Sequence, residues 1–211
     1  WIDKEAERSK TLEDKYQSQC DINLRNCENS LKRISEGIKF ICSDEKAFIA
    51  FNLANEVMLE QFKWNNPDIK MRWRPFQLGY FLLSCISTVA EDHPDKNTFD
   101  LLWFPTGGGK TEAYLLLSCF LIFYNRLNKK NGGDYAGVNI IMRYTLRTVT
   151  LDQFQRVSKV IIAAELIRNK YKKFDLGKEK ISVGLWVGQD STPNKTSDAI
   201  ENINSDFSSP K

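Results

Sequence analysis

Apolar or small residues recur at Ile2, Ala6, Leu12, Tyr16, Cys20, Leu24, Cys27, Leu31, Ile34, Ile38 and Ile41, and from Cys20 onward the steps alternate between three and four residues. That is the spacing of one stripe on a helix, and the positions between are charged or amide-bearing. The segment therefore predicts a long amphipathic helix or a helical hairpin, weakened locally at Gly37. Its stripe suits packing on the domain that follows, or a dedicated partner helix. Ser43 is a candidate N-cap for a second helix carrying Ala47, Phe48, Phe51, Ala54, Val57, Met58 and Phe62. The Asn-Asn-Pro run within Trp64 to Asp68 ends it, and Pro75 opens a third helix running through Phe76 to Ala90.

Beyond residue 98 the grammar changes. Phe99 to Phe104, Val138 to Met142 and Ile181 to Val187 are short apolar runs suited to buried parallel strands. Between them lie a nearly all-apolar helix over about residues 110 to 126 and a helix from Thr148 to Tyr171. Strand, helix, strand, helix, strand predicts an α/β unit with right-handed crossovers and a parallel sheet. After Gly188 the chain turns polar, and no further strand is predicted.

The first of those apolar runs leads into Pro105-Thr106-Gly107-Gly108-Gly109-Lys110-Thr111. A phosphate cradle needs successive backbone N–H groups pointing into one concavity, where side chains would obstruct. Three consecutive glycines remove that obstruction, and a helix starting near Lys110 turns its unpaired N–H groups toward the same point. Lys110 can set its ammonium on the β- and γ-phosphates of ATP, and the Thr111 hydroxyl can ligate Mg²⁺. Phe104 stands where the generic phosphate-loop pattern has glycine, so the match is to the Pro-Thr-Gly-x-Gly-Lys-Thr form.

Composition adds little to this. The 211 residues carry a net charge of +3, too small to argue for nucleic acid without local clustering. Five scattered cysteines, at 20, 27, 42, 85 and 119, lack the density of a disulfide scaffold, and buried thiols in a reducing cytoplasm fit them better than a metal site. The longest apolar run, Ala113 to Tyr124, is too short to span a bilayer, so no membrane partner is expected. The charged start at Trp1, without Met, reads as an excised piece rather than as a leader.

Two further stretches can join the loop. Arg74-Pro75-Phe76-Gln77 lies upstream, and an amide such as that of Gln77 can pair with both a donor and an acceptor on an adenine edge. Arg72 and Arg74 flank Trp73 and suit either a nucleic-acid or nucleotide contact or plain surface packing. Downstream, Arg143, Thr145 and Arg147 offer fork donors and a hydroxyl where a strand end meets a helix start, which suits phosphodiester oxygens.

The Pro-Thr-Gly-Gly-Gly-Lys-Thr wording resembles the phosphate loop of superfamily 2 helicases. Together with Arg74 to Gln77, Met142 to Arg147 with Gln153-Phe154, Gly184 to Gly188 and Thr192-Pro193-Asn194, it resembles the helicase subunit of the DISARM bacterial anti-phage system over about residues 72 to 195. The resemblance implies an ATP-driven DNA helicase or translocase with two RecA-like lobes. It also implies a partner protein that joins it on invading DNA, beside a methyltransferase that marks host DNA. Carried over by position, Gln77 is the adenine contact, Gly107 to Thr111 with Thr106 the phosphate and Mg²⁺ loop, and Arg143 to Arg147 the strand contact.

On this reading residues 1–70 form a helical extension and residues 71–211 the first part of a RecA-like lobe. Hydrolysis by such motors needs an acidic pair. Glu91-Asp92 precedes the loop and Asp198 to Glu201 follows no apolar strand, so neither qualifies. The chain alone is thus expected to bind ATP weakly and hydrolyse little. A phosphate-loop kinase and a degenerate nucleotide-binding scaffold are the rival readings.

Overall fold

Among the described residues every regular element is a helix. The computed structural model describes residues 1–105, 107–128, 137–144, 147–186 and 195–204. The helices are α1 (Ile2–Ser9), α2 (Asp14–Ser43), α3 (Glu45–Lys63), α4 (Pro75–Val89), α5 (Lys110–Asn128), α6 (Arg147–Lys170) and α7 (Thr196–Asn204). Residues Trp1–Ile181 form one compact unit, containing α1 to α6, and Ser182–Lys211 form a second, containing α7.

The helix starts follow local chemistry. Asp44, one residue later than the expected cap, accepts the Ala47 N–H at 2.8 Å and opens α3. Pro75 sits in the first turn of α4, where its missing N–H costs nothing. The expected helical stretch from Ile2 to Ile41 breaks near Lys10 into α1 and α2. The polar stretch beyond Gly188, for which no strand was expected, carries the short α7.

In the first unit α4 packs between α2 and α5, and α3 lies on α2, α5 and α6. Ala47, Ala50, Leu53, Ala54, Val57 and Met58 line the buried face of α3, and α5 is buried at Leu115, Leu116, Cys119, Phe120, Ile122 and Phe123. Contacts on more than one side explain why α5 is apolar nearly all round. At the centre the fully buried Phe81 stacks on Phe51 (5.0 Å) and meets Phe120 edge-on (5.2 Å). Burying one such ring contributes about 1.5–3 kcal/mol. Cys85 and Cys119 belong to the same core, and burial pushes both thiols up to about 12.

The expected α/β fold with a RecA-like parallel sheet is overturned: no strand occurs among the described residues. A parallel strand exists by hydrogen bonding to neighbours and by covering both its faces. The described residues of the three apolar runs form no ladder, and Val187 lies outside the described residues. Phe99 is 99% exposed, Trp103 88%, Ile141 86% and Trp186 97%, so each run leaves a large apolar side chain in solvent, while Ile181 joins a core built from helices and Ile140 and Met142 pack against it. Short apolar runs cannot be told from other structure by pattern alone, and here their length and apolar character misled. The boundary expected near residue 70 falls in the 64–74 connection, and Trp73 Nε1 there donates to Asn55 Oδ1 of α3 at 2.8 Å.

Two ionic networks tie the irregular segments to helices. Arg33 of α2 forms a two-pronged bond to Asp100, at 2.6 and 2.8 Å, and stands 3.2 Å from Asp95, pinning the approach to the glycine loop. Glu165 of α6 receives both Arg168 (2.7 Å, twice) and the Ile181 N–H (3.0 Å), while Arg126 of α5 donates to the carbonyls of Leu176 (2.7 Å) and Glu179 (2.8 Å). The Arg168 hydrogen bonds, aided by the Ile181 N–H and Asn169 and opposed by burial, hold the Glu165 carboxyl down at about 2.

Two outcomes follow for stability. The α2–α4 crossing is closest at Gly37, where an added Cβ would land on the Leu82 carbonyl oxygen. Gly37→Ala should therefore cost about 2 kcal/mol or more in urea unfolding, whereas Gly79→Ala, with nothing within 4 Å, should be neutral or stabilising by up to about 1 kcal/mol. Equal effects at the two sites would rule out the close crossing. Glu165, with its ordinary value of 4.5 lowered on folding, stabilises the fold fully above about pH 4.5 and loses that contribution as pH falls toward about 2. Urea midpoints of the wild type should thus fall more steeply from pH 5 to pH 2 than those of Glu165→Gln; parallel profiles would remove the carboxylate from the acid response.

Candidate functional site

The glycine loop joins the 99–105 segment to the first turn of α5. Gly107 and Gly109 take φ of +75° and +89°, a region that side chains disfavour. Space is as restrictive as the dihedrals. A Cβ on Gly108 would meet Phe104 Cδ1 at 2.6 Å and the Pro105 oxygen at 2.9 Å. One on Gly109 would meet Gln77 Nε2 at 2.8 Å. The loop is closed by the Gly108 N–H, which donates to Pro105 O at 3.2 Å, and α5 starts immediately afterward at Lys110.

Lys110 turns its ammonium onto the Phe104 and Pro105 carbonyls, the latter at 3.1 Å, and is half-buried. Its cation is thus already held beside the loop by main-chain oxygens alone. The Thr111 hydroxyl donates to Gln153 Oε1 of α6 at 3.3 Å, and Gln153 Nε2 donates to Asp152 Oδ2 at 3.1 Å. A second link between α5 and α6 is the Arg156–Glu112 ion pair. Thr111 and Glu112 therefore anchor to the same face of α6, through residues at positions 153 and 156.

The other wall of the loop is the start of α4. Arg74 Nη1 donates to the Gly108 carbonyl at 2.7 Å and Gln77 Nε2 to the Gly109 carbonyl at 2.8 Å. Gln77 Oε1 accepts the Arg74 N–H at 2.8 Å, so the buried amide is held at both ends. Phe76 stacks on Phe104 with ring centroids 3.9 Å apart and planes 17° from parallel. The Arg74-Pro75-Phe76-Gln77 stretch thus meets the loop through two donors and one ring.

Of the expected site residues, the fold brings Gln77, Gly107, Gly108, Gly109, Lys110 and Thr111 to one place. Thr106 and Thr145 lie outside the described residues. Arg143 is exposed near the end of the 137–144 segment, and Arg147 begins α6, its side chain outside the described residues. The neighbouring Tyr144 hydroxyl is pushed up by burial, with Arg156 pulling it down and Tyr114 adding to the rise. Gln153, Glu112 and Arg156 at the loop were not singled out from the sequence as site residues. The signal available for the first was its adjacency to the Arg143-to-Arg147 block, and for the other two the complementary charge of partners 44 positions apart.

Of the acidic candidates rejected on sequence grounds, Glu91 pairs with Lys96 at 3.6 Å in the loop after α4, and Asp198 belongs to α7. No helix among the described residues is long and apolar enough to cross a membrane.

No family model matches the chain. A search of curated proteins finds 40% identity over 198 residues to a protein of Bacillus paralicheniformis (strain ATCC 9945a / NCIMB 11709 / CD-2) named DISARM protein DrmA. The match takes in 85% of this chain and 18% of that relative. A phosphate-loop sequence folded as a glycine turn on a helix start, in a chain sharing two residues in five with that protein, makes the likeness one of substance: over most of its own length this chain resembles DISARM protein DrmA.

Proposed function

We propose that residues 105–111 bind the triphosphate of ATP with Mg²⁺, and that in a full-length DrmA-like protein this site drives a DNA-dependent helicase or translocase in anti-phage defence, alongside a partner subunit. The observation that carries the reading is the pair of glycines at 108 and 109, whose Cβ positions are taken by loop and side-chain atoms, set against the start of α5. A turn so constrained costs conformational freedom, and a main-chain anion cradle is the return that such turns give.

The donor set fits the group. The main-chain N–H groups of Gly107 and Gly109 and of the first turn of α5 suit phosphate oxygens, while that of Gly108 stays on Pro105 O and closes the turn, and Thr106 joins the set by its place in the sequence. Lys110 would exchange two neutral carbonyl acceptors for charged phosphate oxygens, which are the stronger partners. Thr111 can give a lone pair to Mg²⁺ while its O–H goes on donating to Gln153 Oε1. The bound Mg²⁺ offsets phosphate charge, and ATP supplies the free energy for movement.

Arg143, Thr145 and Arg147 are the proposed contacts to the DNA backbone. Arg147 opens the helix that six residues later presents Gln153 to Thr111, a rise of about 9 Å at 1.5 Å per residue. One rigid element therefore runs from the proposed strand contact to the proposed metal ligand, which suits coupling of ATP to DNA.

In the full-length protein Lys110→Ala should weaken Mg-ATP binding about 10- to 100-fold, the loss of one charge-assisted contact. DNA-stimulated ATP turnover should be abolished, with basal DNA binding kept. Unchanged affinity and turnover in this variant would defeat the assignment.

A further inference from the structure

We infer that Arg74 and Gln77 are a carbonyl brace: by holding the Gly108 and Gly109 oxygens on the α4 side of the loop, they aim the next two N–H groups into the phosphate cradle. The inference rests on the reading of the loop as a polyphosphate site. It gives Gln77 a duty toward phosphates and none toward the base.

The argument is one of peptide geometry. In a planar trans peptide the C=O and the following N–H point in opposite directions. The Gly108 oxygen takes a hydrogen bond from Arg74 Nη1 at 2.7 Å, so the Gly109 N–H of the same plane points away from α4. The Gly109 oxygen takes one from Gln77 Nε2 at 2.8 Å, so the Lys110 N–H also points away from α4. Two consecutive planes are thus set by two side-chain donors three positions apart. Glycine's freedom makes such setting necessary, since peptide planes flanked by glycine rotate at little steric cost.

The brace is itself anchored. The Gln77 amide cannot flip, because its oxygen accepts the Arg74 N–H at 2.8 Å while its nitrogen faces Gly109. Pro75 fixes the backbone between the two donors, and the Phe76–Phe104 stack, 3.9 Å between centroids, sets the distance from helix to loop. Gln77 is 5% exposed, which leaves little of its amide for an incoming base. Arg74 is exposed at the rim, so it can be changed without opening the core.

The test uses a ligand that has phosphates and no base. Calorimetric titration of the full-length protein with Mg²⁺-tripolyphosphate, Mg-ATP and Mg-GTP would compare wild type, Gln77→Glu, Arg74→Ala and Arg74→Lys. Glutamate keeps the shape of Gln77 but sets an acceptor against the Gly109 oxygen. The brace predicts that Gln77→Glu and Arg74→Ala each weaken tripolyphosphate and ATP by one common factor, about three- to tenfold, with the ATP-to-GTP ratio unchanged. Arg74→Lys, which keeps a donor, should recover part of the loss.

A drop for ATP with tripolyphosphate untouched would overturn the brace and return Gln77 to base reading. Unaltered binding of all three ligands in both variants would overturn it too. If Gln77→Glu does not fold, as circular dichroism would reveal, the exposed Arg74 pair decides the matter by the same comparison. Wild-type protein that takes no tripolyphosphate, or a Lys110→Ala variant that takes it equally well, would instead defeat the phosphate-loop reading itself.

Discussion

The packing of α4 is the constraint on which the first unit depends. Its middle carries Phe81, the fully buried ring that joins Phe51 of α3 to Phe120 of α5. Its opposite face lets α2 approach to the distance that Gly37 permits at Leu82. Its N-terminus carries the two side chains that hold the glycine loop. A shift of α4 by an ångström would open a cavity around Phe81 and release the loop together, because close-packed interiors transmit displacement rather than absorb it.

The loop is consequently held from three sides. From α2, Arg33 fixes Asp100 at the entrance, and from α4, Arg74 and Gln77 fix the glycine carbonyls. From α6, Gln153 and Arg156 fix Thr111 and Glu112 on the exit helix. All three sets of contacts are polar, while the turn between has almost no side chains of its own. A glycine-rich turn has little means of specifying its own shape, so the neighbouring helices specify it. This arrangement links α2, which carries no motif itself, to the segment that leads into the proposed nucleotide site.

Much of the helical skeleton was legible beforehand. The three-and-four spacing of α2, the proline start of α4, and the run of apolar residues in α5 each report a local or near-local cause, and α3 to α6 stand within a few residues of expectation. The expected sheet was not legible in the same way, and it was wrong. Phe99 to Phe104, Val138 to Met142 and Ile181 to Val187 have strand-like composition, but composition states only that a strand would fit if neighbours supplied a ladder. Among the described residues no such neighbours are present, and Phe99, Trp103, Ile141 and Trp186 lie open.

The sequence by itself determined the glycine loop, its lysine and threonine, and the helices on either side, because these depend on dihedral freedom, spacing and capping over a few residues. Tertiary structure alone decided which side chains hold that loop. Arg74 and Gln77 lie 34 and 32 positions from the carbonyls they bind, and Gln153 lies 42 from Thr111. Contacts at such separations follow from how α4, α5 and α6 pack on shared apolar faces, and packing is a property of all the helices together, which no local pattern encodes.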